Sequence, residues 1–181
     1  VLVTGASSGI GMETAYAFAR RNGRLALTGR ATDALLGVKN NIIKNGGEAE
    51  DFPFDLANIS EIPLLVKAIE EHFDSTIDIL VNNASAISVT GTAESPMKRF
   101  DLRHQVNSRG TFLVTQACLP YLKKSENGHV LVLSPPLNLE SRIFIIQSNK
   151  PGLRRSSLTI GQRVTPPSPH ARSISTTESR V

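Results

Sequence analysis

The segment TGASSGIG, residues 4–11, carries glycines and serines with the types and spacing of a loop that holds phosphate groups. It follows an apolar run and precedes an amphipathic stretch, which is the order of a strand, a glycine turn and a helix start. Gly5 permits a tight turn off the strand, Gly9 lets a pyrophosphate approach the backbone, and Gly11 lets the helix pack closely. The helix N-terminus offers unpaired N–H groups and partial positive charge to an anion. Because the spacing is TGxxxGxG rather than GxGxxG, a chance glycine turn is the alternative that later motifs must outweigh.

Further polar residues stand where other predicted strands end. They are Gly29-Arg30, Asp55-Leu56, Asn82 to Ser85, and Ser134. In an open parallel sheet, ligands bind beyond the carboxyl ends of the strands, near the point where the strand order reverses. Each of these groups taken alone reads equally well as an ordinary strand-ending turn. Together with the glycine turn they occupy one rim of the sheet, so we predict a binding crevice there.

Apolar runs alternate with segments of helical period along most of the chain. Strands are predicted at residues 1–3, 25–28, 49–54, 77–81 and 129–133, and helices at residues 12–21, 33–45, 60–73 and about 96–123. This alternation predicts an α/β fold. We expect a Rossmann-like doubly wound parallel sheet with helices on both faces, truncated after about the fifth strand.

The alternating order ends near residue 145. Beyond it the sequence is rich in Ser, Thr, Pro and Arg, and PPSP at 166–169 cannot lie inside a helix or a central strand. We therefore predict one nucleotide-binding domain over residues 1–145 and a disordered, non-homologous tail over residues 146–181. Because no sixth strand is evident, the fifth strand would be an exposed apolar edge.

The charge and the cysteine count restrict the classes of function. The net charge is +4, and residues 151–181 supply all of it with five Arg and one Glu, so residues 1–150 are balanced and predict no nucleic-acid face. No apolar run reaches the ~20 residues that a membrane span needs. Cys118 is the only cysteine, which fits a reducing compartment, and we expect a cytoplasmic protein. The four histidines lack ligand-like spacing, so no metal site is expected.

The motifs together resemble those of the short-chain dehydrogenase/reductase family. The supporting residues are TGASSGIG at 4–11, Asp55-Leu56, NNAS at 82–85, Asn107 within QVNSRGTF, and Ser134. From Ile77 to about Leu139 the sequence is similar to the hydroxysteroid dehydrogenase-like branch, and the resemblance covers residues 1 to about 140. It implies an oxidoreductase that uses a nicotinamide dinucleotide to interconvert a carbonyl and an alcohol on a small substrate. It also implies a homo-oligomer built through the long fourth helix.

The resemblance implies a role for each matching position. The residues expected to bind the cofactor are Gly5, Ser7, Ser8, Gly9, Ile10, Gly11, Asp55, Leu56, Asn83, Ala84 and Ser85. Among them, Asp55 and Leu56 would flank the adenine. Asn107 would hold a helix distortion that positions a proton-relay water, and Ser134 would hydrogen-bond the substrate oxygen. Taken without the resemblance, Ser134 is a polar strand end, Asn107 an exposed helix residue and Asp55 a turn residue.

The end of the second strand bears on the choice of cofactor. A carboxylate there would bind the ribose hydroxyls of NAD and repel a 2′-phosphate. This chain has Gly29 followed by Arg30, whose guanidinium is able to pair with a phosphate. We therefore predict NADP rather than NAD, the alternative being that Arg30 is a solvated turn residue.

One feature of the family is missing from this sequence. The family's general acid/base is a Tyr four residues before a Lys, expected here within residues 147–151, where the sequence is QSNKP. The two tyrosines of the chain, Tyr16 and Tyr121, are followed four residues later by Arg20 and Ser125. We therefore expect this chain to be inactive as an oxidoreductase. The alternative function is a non-catalytic nucleotide-binding or interaction module.

Overall fold

The computed structural model describes residues 1–87, 93–134 and 158–163. Its strands are β1 Leu2–Thr4, β2 Arg24–Gly29, β3 Glu48–Pro53, β4 Ile79–Asn82, β5 His129–Ser134 and β6 Leu158–Arg163. Its α-helices are α1 Gly9–Ala19, α2 Thr32–Lys44, α3 Ile62–Phe73, α4 Met97–His104 and α5 Thr111–Lys124. A short 3-10 helix, Ile59–Glu61, precedes α3.

The strands form one sheet in the order β3-β2-β1-β4-β5-β6. The pairs from β3 to β5 are all parallel, with Val3 opposite both Leu27 and Val81 at the centre of the sheet. The order reverses between β1 and β4, because the chain leaves β1 in one direction and crosses back past it to β4. The predicted α/β class and the Rossmann-like parallel arrangement are thereby confirmed.

Alternate residues of the central strands supply two hydrophobic cores, one on each face. Leu2 and Leu80 point into the core that α3 and α5 cover, while Val3 and Val81 point into the core that α1 and α2 cover. All four side chains are fully buried. Near-continuous apolar strands of this kind are expected where a parallel sheet is covered on both faces. The rims at the strand ends are therefore the exposed parts of the sheet.

The predicted long helix over about residues 96–123 is interrupted. Between α4 and α5, Gln105–Gly110 forms a π-helical segment, here called the π turn. Val106 and Gly110 of the π turn are buried. Helix α4, in contrast, exposes all of its long side chains except Arg103. Single π-helical turns within helices occur often at functional sites.

The sheet does not end at β5. Leu158–Arg163 pairs antiparallel with β5 along its whole length, from Ser134 opposite Leu158 to His129 opposite Arg163. For these six residues the structure therefore differs from the predicted disordered tail, and the edge of β5 is not open. The unpaired N–H and C=O groups of an edge strand favour the addition of another strand, which is the physical reason for the pairing. The remaining residues of the predicted tail lie outside the described ranges.

Candidate functional site

A cavity of about 360 Å³ lies at the carboxyl ends of the parallel strands. The loops that follow β1, β2, β3 and β4 all contribute to its lining. The lining includes these residues singled out from the sequence: Gly5, Ser7, Ser8, Ile10, Arg30, Asp55, Leu56, Asn83, Ala84 and Ser85. Gly9 and Gly11 belong to the same loop and helix start but are not lining residues. The structure thus brings the predicted clusters to one rim.

The glycine turn adopts backbone conformations that side chains rarely allow. Gly5 has φ +67° and Gly9 has φ +57°, both in the left-handed region. A Cβ at Gly5 would also lie 2.8 Å from the Ala84 Cα, whereas the space beside Gly9 is empty to 4 Å. The chain is therefore forced to turn at Gly5, and it leaves open space at Gly9 directly before α1.

Gly11 packs against the loop that follows β1. A Cβ at this position would overlap the carbonyl oxygen of Gly5 and the side-chain amide of Asn83. The Asn83 Nδ2 donates hydrogen bonds to the Thr4 carbonyl at 3.0 Å and to the Gly5 carbonyl at 3.1 Å. The absence of a side chain at Gly11 is thus what lets helix α1 begin this close to the ends of β1 and β4.

Thr4 holds the same two strand ends together from within the sheet. Its buried Oγ1 donates to the Val81 carbonyl at 3.2 Å and accepts from the Asn83 and Ala84 N–H groups at 3.0 Å each. Sequence reasoning placed Thr4 within the motif but gave it no role. A hydroxyl in an otherwise apolar, buried strand was the available signal, because a buried polar group requires partners.

Helix α1 begins beside the cavity, since Ser7, Ser8 and Ile10 belong to the lining. The N-cap residue, Ser8, makes no capping hydrogen bond, and the first turn of α1 contains no acidic residue. The first N–H groups of a helix have no partner within the helix, and its N-terminus carries partial positive charge. With Ser7 and Ser8 in the lining, this end of the cavity favours an anion.

The wall after β3 is a turn held by its own carboxylate. The Asp55 Oδ1 accepts the Ala57 N–H at 3.0 Å, and the Asp55 carbonyl accepts the Asn58 N–H at 2.9 Å. Asp55 is therefore a turn residue, and it also belongs to the cavity lining. From the π turn, the Gln105 Nε2 donates to the Ala57 carbonyl at 2.8 Å.

The wall after β4 is held by Asn107 of the π turn. Its Oδ1 accepts the Ala86 N–H at 2.7 Å, and its Nδ2 donates to the Ala86 carbonyl at 3.0 Å. Asn107 is exposed and does not line the cavity, but Ala86 does. The expected helix distortion is present at this residue, and its amide fixes the backbone of the wall.

The end of β2 supplies Thr28, Gly29 and Arg30 to the lining. The Arg30 side chain is exposed at the rim, and a Cβ at Gly29 would stand 3.4 Å from the Ser7 Oγ. Among the described residues, the buried Thr28 hydroxyl has no hydrogen-bond partner. This side of the cavity therefore carries a cation and no carboxylate.

Ser134, the second predicted catalytic residue, ends β5 and is exposed. It lies on the same rim but does not line the cavity. Residues 147–151, where the family places its Tyr and Lys, are outside the described ranges. On the adjacent strand, the last residue of β4, Asn82, is buried. Its Nδ2 donates to the Thr115 Oγ1 at 2.9 Å, and this bond connects the end of β4 to α5.

Sequence reasoning missed several apolar lining residues. Ala31, Phe54, Ala86 and Val106 complete the cavity walls. Their residue types carry no chemical signal, because only the fold tells a cavity wall from a core position. Within the described ranges there is no cluster of His, Cys, Asp or Glu able to hold a metal ion. In the same part of the chain, no helix has both the length and the apolar character to cross a bilayer.

Comparison with known proteins agrees with the geometry. The family model described as short chain dehydrogenase matches residues 1–143. Hydroxysteroid dehydrogenase-like protein 2 of Rattus norvegicus is 44% identical over 151 residues, which cover 80% of this chain and 29% of the relative. The Homo sapiens protein of the same name is 42% identical over 146 residues, covering 77% and 35%. The chain thus spans about a third of the length of these curated relatives.

Solved structures share the fold over a similar range. An alcohol dehydrogenase from Thermococcus sibiricus, complexed with 5-hydroxy-NADP, matches with a TM-score of 0.68 and 30% identity over 72% of this chain and 55% of its own. A short chain dehydrogenase from Mycobacterium thermoresistibile matches with a TM-score of 0.71 and 35% identity over 77% of this chain and 52% of its own.

Proposed function

Since this chain belongs to the short chain dehydrogenase family, we propose that it binds NADP in the cavity at the carboxyl ends of β1 to β4. The observation that carries the proposal is the shape and charge of that cavity. Gly5 and Gly9 adopt left-handed conformations before an uncapped helix N-terminus, and Arg30 stands at the rim. The family membership and the structural neighbour complexed with 5-hydroxy-NADP support the same class of ligand.

The residues of the cavity fit the parts of a dinucleotide. The open space at Gly9 and the N-terminus of α1, which has no side-chain cap, suit the pyrophosphate. Asp55 and Leu56 suit the adenine, and Arg30 suits the 2′-phosphate because a guanidinium forms charge-assisted hydrogen bonds with phosphate oxygens. Ala84 and Ser85 extend the lining on the β4 side, where the nicotinamide half would lie.

For the whole protein we propose carbonyl–alcohol interconversion on a small substrate. When bound, the nicotinamide ring supplies or accepts the hydride. In this chain, Asn107 holds the Ala86 segment in place, and Ser134 is an exposed residue on the rim. Ser134 would orient the substrate oxygen, and Asn107 would maintain the helix distortion that orders a relay water.

A second candidate function is nucleotide binding without turnover. It is favoured by the lack of any Tyr-x-x-x-Lys in the sequence, since such a pair contributes a general acid/base effect of about 10²–10⁴-fold. We therefore expect that the purified chain does not consume NADPH above background with a panel of ketones and aldehydes. Steady turnover that Ser134→Ala abolishes would point to another general acid in the chain.

Fluorescence titration with NADPH and NADH tests the cofactor assignment. A charge-assisted contact contributes about 1.5–3 kcal/mol, so NADPH should bind more than about tenfold tighter than NADH. Arg30→Ala should abolish this preference. The matched control is Arg20→Ala, because Arg20 is an exposed arginine at the far end of α1. Equal affinities for the two nucleotides in the unaltered chain would refute the choice of NADP.

A further inference from the structure

The π turn contacts both walls of the cavity. Gln105 bonds the Ala57 carbonyl after β3, and Asn107 bonds Ala86 after β4. These strands are not neighbours, because β2 and β1 lie between them in the sheet. One helical turn therefore bridges the two sides of the cavity.

Ala57 is held at both of its backbone polar groups. Its N–H donates to the Asp55 Oδ1 at 3.0 Å, and its carbonyl accepts from the Gln105 Nε2 at 2.8 Å. The first bond is local, but the second joins residues 48 positions apart in the chain. The Gln105 bond thus joins the Asp55–Ala57 turn to a distant part of the chain, in addition to the core packing of the buried Leu56.

The π turn packs closely against the Asp55–Ala57 turn beside the Gln105 bond. A Cβ at Gly110 would lie 3.2 Å from the Leu56 carbonyl, so the π turn approaches the β3 wall at its far end as well. Val106, next to Gln105, is buried in the core and lines the cavity. The Gln105 amide is consequently carried on an element whose neighbouring residues Val106 and Gly110 are buried, which suits a positioning group.

We propose that Gln105 is a positioning residue for the adenosine half of the bound nucleotide. It acts through Ala57 on the wall that Asp55 and Leu56 form, and it does not itself line the cavity. This inference rests on the proposed binding of NADP. It predicts that loss of the Gln105 donor weakens the adenosine half and spares the nicotinamide half.

Calorimetric titration of the full chain with three ligands tests the inference. The ligands are NADPH, 2′,5′-ADP and reduced nicotinamide mononucleotide. Gln105→Met keeps the length of the side chain and removes the donor. It should weaken NADPH and 2′,5′-ADP by the same factor, about 3- to 10-fold, and leave the mononucleotide unchanged. The matched control is Gln116→Met, at an exposed glutamine of α5, which should change none of the three affinities.

The outcomes distinguish failure of the Gln105 inference from failure of the proposed NADP binding. If the unaltered chain binds neither NADPH nor 2′,5′-ADP, the proposed function fails and the inference with it. If it binds both and Gln105→Met leaves 2′,5′-ADP unchanged, or weakens all three ligands equally, only the role of Gln105 is overturned. Gln105→Glu, which is isosteric and carries no donor when ionised, replaces Gln105→Met if circular dichroism shows that the latter does not fold.

Discussion

Substitution of Gly11 by alanine tests the close approach of α1 to the ends of β1 and β4. The added Cβ would overlap the Gly5 carbonyl and the Asn83 amide. The Asn83 side chain would have to move, and this movement would lengthen or break its hydrogen bonds to the Thr4 and Gly5 carbonyls. Overpacking costs about 1–3 kcal/mol and each lost bond about 1 kcal/mol, so the free energy of unfolding should fall by about 2–5 kcal/mol. That is a large part of the ~5–15 kcal/mol of a whole domain.

The matched control is the same substitution at Gly37, in the middle of α2. Apart from its chain neighbours and the backbone of its own helix, no atom lies within 4 Å of the Cβ that would be added there, and the residue is exposed. Because glycine within a helix is about 0.8–1.0 kcal/mol less favourable than alanine, Gly37→Ala should stabilise the fold by up to this amount. The chain has no Trp, so urea unfolding is followed by far-ultraviolet circular dichroism. A Gly11→Ala variant that unfolds at the same urea concentration as the unaltered chain would refute the packing argument.

Three further predictions concern single side chains. Thr28→Val should raise the free energy of unfolding in urea by about 1 kcal/mol, because the buried Thr28 hydroxyl has no partner among the described residues; a lower value would reveal a partner. Asn107→Ala should lower the free energy of unfolding by about 1–3 kcal/mol, because its two hydrogen bonds to Ala86 are lost. An unchanged urea unfolding curve would contradict this prediction. Burial raises the pKa of Cys118 from 9.0 to about 12, so the folded state favours the thiol. Unfolding free energy should therefore be unaffected below pH 9 and fall by about 1.4 kcal/mol per pH unit between pH 9 and 12, relative to Cys118→Ala; parallel pH profiles would refute it.

The parallel sheet and its rim follow from local signals in the sequence. Buried parallel strands require continuous apolar runs, and Leu2-Val3 and Leu80-Val81 supply them. Once the strands are placed, the polar residues that end them must share one edge, which is why the cavity lining could be predicted in large part. The glycine turn was also predictable, since left-handed conformations at Gly5 and Gly9 leave few other residue types.

Contacts between distant segments were not predictable in the same way. The Gln105 side chain meets the Ala57 carbonyl across 48 positions, and nothing near either residue marks the pairing. The residues alone predicted a single helix over about 96–123, and only the family resemblance implied a distortion at Asn107. The π turn contains Asn107, which bonds both polar groups of Ala86, and tertiary contacts of this kind can override local helix preference.

The sixth strand is a second element that local sequence did not predict. Leu158–Arg163 lies in a stretch whose composition predicts disorder, and its pairing depends on the edge that β5 offers. A strand that completes another's hydrogen bonds needs little from its own composition, because the backbone groups of β5 gain partners from almost any extended segment. Local propensity therefore decides the elements that contain buried apolar faces, such as β1 and β4. Where a segment pairs with an open strand edge or with a distant carbonyl, the pairing depends on the fold as a whole. The sequence of that segment alone does not predict such a pairing.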